Sequence, residues 1–512
     1  MPLRDAKRLR GMRRGIEKES LRVLPGGELA VTPHPAALGS ALTHPHITTD
    51  FSESQLELIT GVHGTADACL EELAQIHQVV YRALAEAGGD EILWCASMPC
   101  RLPADDAIPI GRYGSSNVGR AKTVYRTGLS YRYGRRMQMI SGIHYNFSLP
   151  GTTSEQYFAL IRNFRRISWL PLYLFGASPT VCSSFVEGRP HELEELKGGT
   201  LYLPHATSLR MGRLGYQSDA QATLAVSYNS LESYAASLDE ALSKPYPPYE
   251  KIGIREESGD SKGEYKQLAT TLLQIENEFY STIRAKRRIR PGERPLHALR
   301  ERGVEYIEVR LMDLDPFAPI GITAPTMRCL DLLLLHCLAS ESPPDTPREI
   351  AAIKRNQHLV AGGGRAPGLR LERAGREVPL AQWGLEVLAA CEPIAESVDA
   401  ALGGAAYRDA LASAQAAMKD PSIVPSARVL QAMDRNHDGS YVRFVLAESL
   451  AHAGHLRGLP LAEDTVGHFE GLAAESRAEQ KRIEQADAYD FETYRRKYLS
   501  HDRLVIRSRA GA

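Results

Sequence analysis

The chain has 512 residues, 43% of them apolar and 24% charged, with a formal net charge of -1. That length allows two or three domains and a large core that needs no disulfide or metal to staple it. The near-neutral balance excludes a strongly basic or acidic protein and gives no electrostatic case for nucleic acid or a membrane surface as partner.

The basic start, Arg4 to Arg14, reads as a solvated terminus and lacks the apolar run of a signal peptide. "GIEKESLRV" (Gly15–Val23) alternates as a strand, and the "PGGE" that follows signals a turn. "ITTDFSESQLELIT" (Ile47–Thr60) reads as a loop leading into another strand. "ADACLEELAQIHQVVYRALAEAG" is apolar at helical spacing and ends at Gly88 and Gly89, a helix with its C-cap. "MISGIHYNFSLP" (Met139–Pro150) alternates again. "SEQYFALIRNFRRISWLPLYLFG" is helical up to a break at Trp169–Leu170–Pro171, and "VEYIEVRLMDL" (Val304–Leu314) is a further strand.

From about Thr326 helices dominate: "TMRCLDLLLLHCLAS", the Ala-rich stretch from Gly384 to Ala417, and the charged stretch from Ala462 to Tyr498. The most apolar run, Leu330 to Leu338, contains Asp331 and His336 and is too short to span a bilayer. The loop-rich segment from Gly362 to Pro379 is the best internal boundary. The fold class expected is α+β, a largely antiparallel sheet with packed helices and a helical C-terminal region. Regular βαβ alternation, a phosphate-binding P-loop and a dinucleotide fingerprint are all missing. Seven scattered cysteines form no CxxC pair, and their odd number gives no complete disulfide framework. They read as buried thiols in a reducing cytoplasm.

The informative pattern lies on the strands, where residues i and i+2 share a face. Glu17 and Glu19 share one; so do Gln55 and Glu57, then His144, Asn146 and Ser148, and finally Glu308 and Arg310. A face lined with carboxylates repels itself unless something neutralises it. Oxygen-rich sets with an occasional histidine suit magnesium or manganese. Any one of these strands alone reads as solvent-facing, and His144 alone as a satisfied core histidine. From the residues themselves, both a set of solvated strands and a metal–nucleotide site stay open. Two other motifs are set aside. "DRNHDGSYVRFV" begins like an EF-hand loop but has Val445 where the bidentate glutamate belongs. "HPHITTD" offers His44 and His46 without a third nitrogen or sulfur ligand.

Eight colinear motifs carry a resemblance: "RGIEKESLRV", "ALGSALTHPHITTDFSESQLELIT", "YGSSNVGRAKTVYRTGL", "ISGIHYNFSLP", "YLFGASPTVCSSF", "LPHATSLRMGRLGY", "LLQIENEFYSTIRAKR" and "GVEYIEVRLMDLDPFAPIG". Together they resemble the glutamate–cysteine ligase family of the single-chain proteobacterial class, in order from Arg14 to Ile322 and more weakly beyond. The resemblance implies a glutamine-synthetase-like catalytic bowl over residues 1–362 and a mainly helical region over 363–512 packed on it. It implies metal ligands at Glu17, Glu19, Asp50, Glu57, His144 and Glu308, for Mg2+ or Mn2+. It places Arg310 and Arg126 in catalysis. Arg210, Phe51, Tyr125, Leu129, Gln138, Tyr216 and Tyr280 would bind substrate, all but Arg210 as the cysteine pocket. The substrates implied are L-glutamate, L-cysteine and ATP, reacting through γ-glutamyl phosphate in a cytoplasmic monomer at the first step of glutathione synthesis. A fused ATP-grasp domain is not expected. Three rivals remain: a carboxylate–amine ligase with another amine acceptor, a guanidino-kinase-type phosphotransferase, and a sensor that binds without catalysis.

Overall fold

The computed structural model describes residues 5–215, 219–222, 224–290 and 292–500. Strands in chain order are β1 (Arg13–Val23), β2 (Ile47–Thr49), β3 (Gln55–Ile59), β4 (Ile92–Leu93), β5 (Ile143–Ser148), β6 (Thr180–Cys182), β7 (Glu194–Leu196), β8 (Thr200–Tyr202), β9 (Ile283–Lys286), β10 (Tyr306–Met312), β11 (Arg370–Arg373) and β12 (Arg376–Pro379). The main sheet runs β2-β3-β1-β5-β10-β9, and β4 pairs with the end of β1. All its pairings are antiparallel. A smaller sheet runs β6-β8-β7, and β11-β12 is an isolated hairpin. The fold is the expected α+β class with a helical C-terminal region.

Alternation gives the main sheet two unlike faces. Ile16 on β1, Leu56 and Leu58 on β3, Tyr145 on β5, and Ile307 and Val309 on β10 are buried in the apolar core. The helices Ser154–Ile167 and Ala324–Ala339 pack on each other behind the sheet, the first also against β9 and β10. Helix Ser154–Ile167 starts at a capping box, in which Thr153 and Gln156 satisfy each other's backbone N–H groups. Helix Ala66–Glu86 packs against β1 and β3 from an N-cap at Thr65.

Three details differ from the sequence reading. The segment before Gln55 is itself a strand, β2, which pairs with β3 so that Thr48 lies opposite Glu57. The helix break falls at Ser168, after which Trp169–Phe175 is helical again. Pro171 occupies the first turn of this second helix, where its missing N–H costs little. The Gly362–Pro379 segment contains the β11–β12 hairpin. Residue 362 lies near the end of helix Pro347–Gly363, and one apolar core runs across this position, from Leu9 to Phe469.

A buried polar network also joins the two parts. Arg14 on β1 donates to Asp331 Oδ2 at 2.8 and 3.1 Å. Tyr145 of β5 donates to Asp331 Oδ1 at 2.7 Å, and Tyr407 of helix Ala406–Lys419 to Oδ2 at 2.9 Å. The Arg14 guanidinium also reaches the Gly64 carbonyl. The seven cysteines are buried free thiols. Among the described residues no helix is long and apolar enough to cross a membrane.

Candidate active site

The second face of the sheet carries the charge. Cross-strand partners in an antiparallel pair point the same way, so the register puts the predicted residues in one row. Glu57 faces Glu19, Glu17 faces His144, and Asn146 faces Glu308. Arg284 of β9 completes the row opposite Glu308. Ligand atoms of Glu17, Glu57 and His144 lie within 4.8 Å of one another. His144 Nδ1 is 3.3 Å from Glu17 Oε2 and 3.8 Å from Glu308 Oε1; its Nε2 is 3.7 Å from Glu19 Oε1. Glu19, His144 and Glu308 are buried, whereas Glu17, Asp50, Glu57 and Arg310 are half-buried at the open side.

Asp50 lies in the turn directly after β2. Its carbonyl is pinned by the Tyr113 hydroxyl at 2.8 Å and by Arg126 Nε. The Arg126 guanidinium stacks over the Tyr113 ring at 4.5 Å. Arg310 sits where the β10–β5 register shifts between Val309 and Met312. A bulge there turns the strand and re-aims a side chain. Arg310 Nη1 meets Glu308 Oε2 at 3.0 Å and His144 Nδ1 at 3.4 Å. Arg210 is buried against Gly142, where a Cβ would overlap its guanidinium, and it donates to the Arg310 carbonyl at 3.1 Å.

The cysteine-pocket expectations fall nearby. Tyr125 and Leu129 are one turn apart on helix Asn117–Tyr133, which also carries Arg126. Gln138 donates to the Tyr280 hydroxyl at 3.2 Å. Phe51 is buried beside Asp50. Tyr216 lies outside the described residues.

Two cations of the site, Arg284 and Lys286, were missed by the sequence reading. Lys286 of β9 binds Glu308 Oε1 at 2.9 Å. The signal was present, because Arg284 and Lys286 alternate with Ile283 and Ala285, but a four-residue strand is too short to stand out.

Burial and charge divide the carboxylates. At Glu17 and Glu308 burial is the largest influence and favours the neutral acid, but the neighbouring cations, Lys286 foremost, together outweigh it. Arg310 and His144 add to this at Glu308, and His144 at Glu17. Both groups lie below the usual carboxylate range, Glu308 far below. At Glu19 burial and Asp50 prevail over Arg210 and Arg310, and the carboxyl is pushed up to about 8. Glu57 is also raised well above the usual range by burial and by Glu17, Asp50 and Glu19. Two carboxyls that resist ionisation beside two that are ionised form a site short of positive charge. An oxygen-rich set with one imidazole has the donor chemistry of a magnesium or manganese site.

Residues 3–360 match the glutamate–cysteine ligase family. A glutamate–cysteine ligase of Alcanivorax borkumensis is 48% identical over 97% of each chain. One from Azotobacter vinelandii is 50% identical over 95% of this chain and 94% of its own. The crystal structure of the Francisella tularensis glutamate–cysteine ligase in complex with AMP superposes with a TM-score of 0.90 at 36% identity, covering 96% of this chain and 97% of that one. A family match over most of the chain, with relatives alike from end to end, means that this chain belongs to the glutamate–cysteine ligase family and is a ligase.

Proposed function

We propose that the protein joins the γ-carboxylate of L-glutamate to the amine of L-cysteine with cleavage of ATP to ADP and phosphate, giving γ-glutamylcysteine for glutathione synthesis. The observation that carries this reading is the row of Glu57, Glu19, Glu17, His144 and Glu308 across four paired strands, with Arg310 at its edge. A carboxylate is a poor electrophile. A γ-carboxylate oxygen of glutamate therefore first takes the terminal phosphoryl group of ATP, and ADP leaves. The cysteine nitrogen then attacks the acyl carbon, the amine loses its proton, and phosphate departs.

Glu17, Glu19, Asp50, Glu57, His144 and Glu308 would hold Mg2+ or Mn2+. Such ions, when bound, neutralise phosphate charge and orient the reacting oxygens. Phosphoryl transfer asks the protein mainly for positioning and charge stabilisation. Arg310 supplies a planar fork to the transferring group. Arg126, whose charge acts on the Glu57 carboxyl and which is fixed by the Asp50 carbonyl and the Tyr113 ring, supports the phosphate side. Arg210 holds the α-carboxylate of glutamate, leaving only the γ-carboxylate free to react. Phe51, Tyr125, Leu129, Gln138, Tyr216 and Tyr280 form the cysteine pocket. The buried free thiols fit a cytoplasmic enzyme, which we take to act as a monomer through its core of residues 1–362, with 363–512 as the helical support.

The direct test incubates the protein with magnesium, ATP and glutamate, with and without cysteine, following phosphate and dipeptide by mass spectrometry. Dipeptide that requires cysteine supports the reading. Phosphate release that ignores glutamate points to a phosphotransferase, and no product with cysteine but turnover with a different amine overturns the acceptor.

Acceptor choice also has a measurable limit. A small pocket separates a thiol from a methyl by only about 1–3 kcal/mol. 2-Aminobutyrate is therefore expected to be ligated at a measurable rate under conditions where cysteine reacts, and no turnover would count against the pocket assigned here.

Proton competition gives a further expectation. The metal-free folded protein keeps protons on Glu19 and Glu57 that the unfolded chain releases above the ordinary carboxylate pKa. Its stability therefore falls as pH rises from about 5 towards 8. A divalent ion must displace those protons. The rise in melting temperature on adding magnesium should be larger at pH 8 than at pH 6. A rise that is equal or larger at pH 6 would contradict the protonation assigned to this pair.

A further inference from the structure

A cavity of about 780 Å³ lies away from the carboxylate face, where the ends of helices Ser154–Ile167 and Ala324–Ala339 meet helix Pro347–Gly363, the β11–β12 hairpin and helix Leu380–Ala390. That volume is in the range of small-molecule sites. The two helices that pack behind the main sheet separate it from the catalytic row.

The interior is apolar: Ala352, Val387 and the Trp383 indole are buried there, with Ile353 half-buried. The rim is cationic. Arg166 is matched by Glu349 at 2.7 and 3.0 Å, and Arg373 by Glu386 at 2.5 Å. The rim's Glu372 is taken by Arg355 at 2.5 Å. Arg348 and Arg376 remain, both exposed, and among the described residues neither has a side-chain hydrogen bond or ion pair. The Arg348 guanidinium lies over the hairpin turn, where a Cβ on Gly375 would come within 3.3 Å of it. The N-terminus of the 17-residue helix Pro347–Gly363 opens on the same rim at its cap Thr346, adding the positive end of the helix dipole.

We infer that this cavity is an accessory binding site for a small organic anion with a flat apolar body. The ring system lies on the Ala352–Ile353–Val387 floor against the edge of the Trp383 indole, whose ring already meets Trp169 at 4.9 Å and the Arg373 guanidinium at 5.3 Å, and the anionic group pairs with Arg348 and Arg376. Planar guanidinium forks favour carboxylate, sulfonate or phosphate groups. The site takes no part in the ligation chemistry.

The test uses 8-anilinonaphthalene-1-sulfonate as probe with the full chain, read by its fluorescence and by energy transfer from tryptophan. One probe molecule should bind per chain, and saturating magnesium and glutamate should leave it bound. Arg348→Ala combined with Arg376→Ala removes only exposed side chains and should weaken binding about tenfold or more, as expected for charge-assisted contacts. Ala352→Trp should fill the floor and abolish binding while ligase turnover persists. The neutral N-phenyl-1-naphthylamine should bind at least about tenfold more weakly than the sulfonate. Absence of binding, displacement by glutamate with magnesium, or equal binding to the double-arginine variant overturns the inference.

Discussion

Replacing Arg310 by alanine is expected to lower kcat about 10³-fold or more, the scale on which arginines stabilise transferring phosphoryl groups. The fold should persist. Arg310 is half-buried at the open side, and after its loss Glu308 keeps Lys286 at 2.9 Å. Arg310→Lys should recover little, because an ammonium offers a point charge where the planar fork makes two parallel bonds. Lysine would also sit differently at the bulge between Val309 and Met312. Steady-state kinetics beside a melting curve decide the matter. A loss below tenfold with an unchanged melting temperature would remove Arg310 from phosphoryl transfer. A parallel collapse of melting temperature would recast it as a structural partner of Glu308.

The largest effect on stability is expected at the opposite face. Arg14→Met leaves Asp331, fully buried, with two tyrosine hydroxyls and no cation. Breaking a buried pair from one side costs about 3–5 kcal/mol, because the remaining charge is uncompensated. Asp331→Leu alone strands the Arg14 guanidinium and should cost a similar amount. The double variant, which removes both charges, should be clearly more stable than either single variant, since apolar replacement of a whole buried pair is often close to neutral. Chemical denaturation of the three variants measures this. If the double variant loses the sum of the two single losses, the pair is not coupled and the burial argument fails. Because the network joins β1, β5 and helix Ala406–Lys419 through one carboxylate, the same variants report whether the helical C-terminal part unfolds with the sheet or before it.

Much of the site was legible because a strand imposes a period of two. Glu17 with Glu19, Gln55 with Glu57, His144 with Asn146 and Glu308 with Arg310 had to share faces once those segments were strands. Asp50 was not legible this way. It stands in a turn, outside any alternation, and only the resemblance of its motif pointed to it. Arg284 and Lys286 obey the same alternation on a strand too short to announce itself. The EF-hand-like segment resolves as helix Pro425–Asn436, a turn with Asp438 at φ +51, and helix Tyr441–Gly458. Asp438 there binds Lys197 at 2.6 Å. His44 spends its Nδ1 on the backbone N–H groups of His46 and Ile47.

By itself, then, the sequence determined the local periods, the α+β class and which side chains would face together on each strand. Backbone geometry is set residue by residue, so a few neighbours are enough to reveal it. The tertiary structure decided which strands stand side by side. The order β2-β3-β1-β5-β10-β9 brings Glu57, Glu17, His144 and Glu308 into one row, and it sets Arg14 against Asp331 across 317 positions of chain. It also decided the protonation of the carboxylates. Glu17 and Glu19 are two residues apart on one strand, yet Lys286 holds the first below the usual range while burial and Asp50 push the second to about 8. Pairing over such separations and the desolvation that follows depend on the whole packed chain, and no local stretch of residues encodes them.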